Sequence, residues 1–329
     1  MLQGKVQAAL KLLTTDYDNG VLKVDNLVLN ELKQKHPPPA PIQNNTLLNG
    51  PVNKVLDCFF DPIDEQMIEK AARMTRGSGG PSQLDAEQYR HILVSKKYKK
   101  ESKELREQMA TLAKHLAINI VDPSSLEALT ACRLIPLNKN PGIRPIGVGE
   151  VLRRIIGKTL SWLLKDDIQE ATSPLQTATG LKGGAEAAIH AMRDIFENDN
   201  TDGVMLIDVS NALNCLNCHV ALHNVQVLCP SMSCIMINTY RKPSRLIILG
   251  SNEILSREGT TQGDNLAMPF YAIGTIPLIN RLKILGSNVK QVWLADDATG
   301  AELLNDLKSW WDSLVEFGKS IGYYDQSLG

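Results

Sequence analysis

Residues 291–300, QVWLADDATG, set two carboxylates side by side after an apolar run. Val292, Trp293 and Leu294 suit a buried, pleated surface, so Gln291 to Ala295 is expected as a short strand. The turn is expected at Asp296 and Asp297, with Ala298-Thr299-Gly300 leading away. Two acids at the tip of an apolar hairpin repel each other and lose solvation. The plain reading is a solvated turn. The alternative is that they hold divalent cations, whose charge offsets the repulsion. That alternative requires a third carboxylate, a polyanionic substrate and positive side chains nearby.

Asp208 is the candidate third acid, because it ends the apolar run VMLID. It caps a helix beginning in DVSNAL, or it joins Asp296 and Asp297 if its strand lies beside their hairpin. Three acids on adjacent strand ends can bind two hard cations roughly 3.5–4 Å apart, a pair suited to clamping an in-line phosphoryl transfer. Between Arg133 and Lys165 there are seven basic residues and one acid, Glu150, a local charge of +6 interleaved with Pro, Gly and strand-like residues. That pattern is expected to form a phosphate-facing surface. The run KKYKKESKELR from Lys96 is expected to be a solvated helix face.

The elements that must position these groups follow from hydrophobic periodicity and turn chemistry. Residues 1–35 read as a helical N-terminal segment and 36–51, HPPPAPIQNNTLLNGP, as a Pro- and Asn-rich linker. Residues 52–130 read as a helical region, with Asp85 as a helix cap. From residue 131 onward short strands alternate with helices: CRLIPLNK and IRPIGVGE around the turn NKNPG, a helix from Val151 to Lys165, a buried strand ending at Asp208, and a hairpin turning at Gly250. The fold class is α+β, an antiparallel sheet with helices on one face.

The net charge of −1 over 329 residues argues against a uniformly basic nucleic-acid binder. No apolar run reaches the roughly 18 residues of a membrane span, and the N-terminus lacks a secretory core, so an intracellular chain with six free thiols is expected. Nucleus and cytoplasm are not distinguished. CLNCH, Cys215 to His219, matches a c-type haem attachment pattern, but that chemistry needs export. The spacing of Cys215, Cys218, Cys229 and Cys234 is irregular for zinc, which leaves buried thiols as the reading.

LIDVSNALNCLN, SREGTTQGDNLAMP and VWLADDATG, in this order and spacing, resemble the three palm motifs of a reverse transcriptase, closest in style to the non-LTR (LINE-type) retrotransposon enzymes. IPLNKNPGIRPIGVGEVLRRIIGK resembles the fingers motifs of that family, and GSGGPSQLDAEQYRHIL the segment before them. The resemblance spans most of residues 70–324. It implies a polymerase right hand, with fingers and palm in residues 131–329, acting as an RNA-directed DNA polymerase on an RNA template, a DNA primer and deoxynucleoside triphosphates. It implies that Asp208 and Asp296 hold two magnesium ions, manganese being the substitute, with Asp297 in support. Lys139 and Arg144 would meet the triphosphate, in agreement with the charge count. Gln262 and Gly263 would line the nucleotide and template, and Arg153 and Arg154 would touch the template backbone.

Leu213 stands where the family carries the aromatic ring that blocks a ribose 2′-hydroxyl, Asn265 replaces a proline, and Leu294 replaces an aromatic. After Gly322-Tyr323-Tyr324 the family's thumb segments do not follow, nor do endonuclease or RNase H segments occur, so the chain resembles a fragment of a mobile element or a gene built on one, with other element-encoded domains or chains as candidate partners. The alternative is a decayed scaffold that binds nucleic acid without catalysis. An RNA-templated RNA polymerase is a third reading, against which the QGD glutamine and glycine argue.

Overall fold

The computed structural model describes residues 20–43, 46–179, 183–198, 200–248, 250, 252–261 and 263–323. Before the first sheet come α1 (Asn26–Gln34), α2 (Glu65–Met74), α3 (Ala86–Leu93) and α4 (Lys99–Ile118). The Asp64 carboxylate accepts the Gln66 and Met67 amides at the start of α2, and Asp85 with Gln88 forms a capping box on α3. Both satisfy amides that a helix start leaves without partners. Then follow β1 (Cys132–Asn138), β2 (Ile143–Gly149), α5 (Val151–Leu163), α6 (Lys165–Thr172), α7 (Gly184–Asn198) and β3 (Gly203–Ile207). The second half carries α8 (Cys218–Leu228), α9 (Pro230–Tyr240), β4 (Ser244–Ile248), β5 (Asn252–Ser256), α10 (Ala267–Leu285), β6 (Lys290–Leu294), β7 (Asp297–Glu302) and α11 (Leu304–Gly318).

The chain is α+β, but its strands form two sheets rather than the single one expected. One has the order β2-β1-β4-β5 and includes a parallel pairing of β1 with β4 through Cys132 and Arg133. The other, β3-β7-β6, is antiparallel throughout. Strand β3 is not buried on both sides: Leu206 is 80% exposed and Val204 is exposed too, while Ile207 is buried, so one face of the strand is uncovered. An apolar run alone does not distinguish a strand covered on both faces from one covered on a single face.

The main core runs without interruption from Phe60, Ile68 and Leu116 in the N-terminal helices to Trp293 and Trp310 beside the three-stranded sheet. Residues 52–130 are therefore packed into the same body as the strands that follow. A second, smaller core lies under the four-stranded sheet, where Leu32 of α1 meets Cys132, Leu134, Ile143, Leu246, Ile248 and Ile254. Glu31 of α1 accepts the Ile143 amide at 2.8 Å.

The Pro- and Asn-rich stretch after α1 is a clasped arm rather than a free linker. Asn211 donates to Lys35 O at 2.8 Å, and the Glu258 carboxylate accepts the Ala40 amide at 2.9 Å. Asn224 grips the arm twice, accepting the Leu48 amide at 2.9 Å and donating to Thr46 O at 3.1 Å. Prolines remove the arm's own backbone pairing, so buried side chains of the body satisfy what remains. The helical segment expected over residues 1–35 falls partly outside the described residues, which begin at Gly20 and contain α1. Among the described residues no helix is long and apolar enough to cross a membrane.

Candidate active site

The antiparallel register of β3 with β7 pairs Gly203 with Glu302 through to Ile207 with Ala298. Asp208 directly follows the last residue of β3 and Asp297 is the first residue of β7, so both acids sit at the same end of the sheet, close enough for the Asp208 charge to act on Asp297. Asp296 lies in the adjoining two-residue turn, since Leu294 pairs with Asp297. This corrects the expected turn by one residue: Ala295 and Asp296 make it, and Asp297 already belongs to β7. Helix capping by Asp208 does not occur at the following one-turn helix, which begins at Ala212 with Asn211 as its N-cap residue.

Electrostatics tie the three acids together. Burial first, then the Asp297 and Asp208 charges, raise Asp296 above the ordinary carboxylate range, against the pull of its own backbone amide and of Lys139. Burial and the Asp208 charge raise Asp297. Tyr323 is pushed up by burial and by all three acids. Its hydroxyl donates to the Asp296 carbonyl at 2.7 Å, and its ring lies against Trp293.

The turn itself is held from beneath. Ala295 has φ +59°, a left-handed conformation rarely taken by residues with a Cβ. Gln176, fully buried, takes both backbone groups of Ala295: the Ala295 amide donates to Oε1 at 2.7 Å and Nε2 donates to the Ala295 carbonyl at 3.0 Å. Neither Gln176 nor Tyr323 stands out in the sequence as a site residue. A single polar residue in PLQTATG carries no local pattern, and its role arises only from a contact 119 residues away.

Part of the phosphate-facing surface expected from the charge count is engaged within the protein. Arg153 is buried and does not face a template: its guanidinium pairs with Asp264 at 2.5 Å and reaches Tyr240 and Thr130 O. Burial, the largest single influence, would lower its pKa, but the charge and hydrogen bond of Asp264 together with Tyr240 and Cys132 outweigh it and hold the group firmly protonated. Arg154 is half-buried and donates to the carbonyls of Arg76 and Ser78, and Lys158 donates to Met74 O. Arg154 and Lys158 thus secure the segment from Met74 to Ser78 before α3, while Arg153 is engaged inside the protein, away from the template contact expected for it. In the other basic run Arg106 is likewise internal, bridging Glu65 at 2.8 Å and Glu69 at 3.1 Å.

Lys139 and Arg144 remain outward on the β1–β2 hairpin. Arg144 pairs with Leu137 in the ladder, and Lys139 acts electrostatically on Asp296, which links the hairpin to the acids across the two sheets. Leu213 is half-buried against the main core, and its carbonyl accepts the Thr260 amide at 2.6 Å. Gly263 is exposed with φ +95°, a conformation that favours glycine. Gln262 lies outside the described residues. Of the thiols in CLNCH, Cys215 and Cys218 are buried, and the Cys218 thiol donates to Gly259 O.

Hard carboxylate oxygens at this sheet end suit magnesium by donor chemistry. Among the described residues no group of three or more His, Cys, Asp or Glu is arranged to hold a metal ion by itself. Magnesium is commonly bound through one or two carboxylates together with substrate phosphates, so a closed protein cage is not a requirement of such a site. A scan against protein-family models finds no match to this chain, and a search of curated proteins finds no relative.

Proposed function

We propose that the chain is a template-directed nucleotidyltransferase of the reverse transcriptase kind, with β3, β7 and β6 as the palm of a right hand and the β1–β2 hairpin in its fingers. The observation that supports this reading is that Asp208 and Asp297 flank the last ladder pair of β3 and β7, with Asp296 in the next turn and the charges of both acting on it. Asp208 and Asp296 would hold two magnesium ions, and Asp297 would support them. Magnesium there supplies activation of the primer 3′-hydroxyl and neutralisation of the leaving pyrophosphate. Lys139 and Arg144 orient the triphosphate, the guanidinium by paired hydrogen bonds to phosphate oxygens. Gly263 brings bare backbone to the nucleotide, and Leu213 lies beneath its sugar. The preference for an RNA template and a DNA primer rests on the motif resemblance alone.

Extension of a DNA primer on an RNA template with magnesium and deoxynucleotides tests the reading. Wild type should extend, and Asp296→Asn, which keeps shape and removes charge, should not. The second reading is a scaffold that binds nucleic acid without catalysis. Asn211, three residues after Asp208, is engaged with Lys35 O at the start of the arm. Salt-sensitive binding of the primed template without any extension would support the scaffold reading.

A further inference from the structure

We infer that Gln176 is the positioning residue of the proposed metal site, setting the Asp296 carboxylate by fixing the backbone of the turn that carries it. The inference rests on the metal-site reading above. Gln176 is held before it holds anything else. Its segment pairs with Trp293 as a parallel bridge: the Trp293 amide donates to Leu175 O at 2.8 Å, and the Thr177 amide and hydroxyl donate to Trp293 O at 2.7 and 2.9 Å. Its Nε2 also lies 3.5 Å from the hydroxyl of Thr275, itself fully buried on α10. The amide plane is thus fixed, with its acceptor and donor turned to the amide and carbonyl of Ala295.

That pair of bonds has a specific consequence. An alanine at φ +59° relaxes toward the common right-handed or extended regions unless its surroundings oppose it. Relaxation at Ala295 rotates the next peptide and swings Asp296 away from Asp208 and Asp297. Gln176 opposes this at Ala295, and Tyr323 grips the carbonyl of Asp296 on the other side. A glycine at 295 would adopt the same conformation without steric cost and would need the clamp less.

The test uses the full chain and Mn2+ alone, with the free-ion electron paramagnetic resonance signal as the readout and thermal melting recorded in parallel. Wild type should bind Mn2+, and Asp296→Asn should weaken binding. Gln176→Leu should weaken it about tenfold while still melting cooperatively, and Gln176→Met is the second variant should the leucine chain fail to fold. Adding Ala295→Gly to the Gln176 variant should restore most of the affinity, a rescue that general loosening of the core would not give. If wild type binds and the Gln176 variant binds equally well, or if Ala295→Gly restores nothing, the positioning role is wrong and the metal site stands. If wild type and Asp296→Asn do not differ, the metal-site reading fails and the positioning role falls with it.

Discussion

Asp208 directly follows, and Asp297 directly precedes, the last ladder pair of β3 and β7, Ile207 with Ala298. Two acids at one end of adjoining strands, with a third in the next turn, form a concentration of negative charge in which the Asp208 charge acts on the other two. Both Asp296 and Asp297 are raised above the ordinary carboxylate range, burial being the first cause in each. A carboxyl raised in the folded state contributes stability that is fully present below its unfolded value and is lost as pH rises through the folded value. In the presence of a chelator, Asp296→Asn should therefore melt higher than wild type at neutral pH. The gap should close as the pH falls to about 4, into the ordinary carboxylate range. Thermal melts across that window check the sign, and a variant that melts lower at neutral pH contradicts it.

Arg153 and Arg144 should behave as opposites although both belong to the same basic run. Arg153→Met leaves the buried Asp264 carboxylate without its partner. Removing one member of a buried pair costs about 3–5 kcal/mol, which denaturant unfolding would detect. Arg144→Ala, on an exposed strand position, should change stability by no more than about 0.5 kcal/mol. It should instead raise the KM for deoxynucleotides, as should Lys139→Ala. Equal stability losses in Arg153→Met and Arg144→Ala would overturn this division.

The arm should be released by a single substitution in the body. Asn224 is fully buried and serves both Leu48 N and Thr46 O. Asn224→Ala leaves two arm groups without partners, at a cost of about 1–3 kcal/mol. Amide hydrogen exchange along residues 46–50 should accelerate in the variant. Unchanged exchange there would mean that the arm is held by other contacts.

Leu213 offers a test of sugar choice. It packs half-buried against the core, where an aromatic ring would extend further toward a bound ribose. Leu213→Phe should increase preference for deoxynucleotides, by about 10–200-fold if one side chain acts as a steric gate. Parallel incorporation of matched ribo- and deoxynucleotides measures it, and an unchanged ratio assigns Leu213 to the core alone.

Local chemistry made much of this fold legible in the sequence. The Asp85 cap, the β1–β2 hairpin and the strand just before Asp208 all depend on neighbouring residues, and each forms close to where its own pattern places it. The two-residue turn shifted by one because Ala295 adopts a left-handed conformation that only the distant Gln176 accounts for. Charge counting found the basic run but not its division, since Asp264, 111 residues from Arg153, claims that arginine. The arm was hidden for the same reason: proline content shows that a segment cannot form a helix, not which asparagines of the body will hold it.

Whether Asp208 and Asp296 act as one centre is tested most directly by single-nucleotide incorporation rates for wild type, Asp208→Asn, Asp296→Asn and the double variant, each verified as folded. Groups that work as a unit are strongly non-additive. Each single substitution should lower the rate by at least about a thousandfold, and the double variant should be scarcely slower than either. A folded wild-type chain that incorporates nothing, or an Asp208→Asn variant that keeps wild-type rate, would contradict the shared two-metal centre.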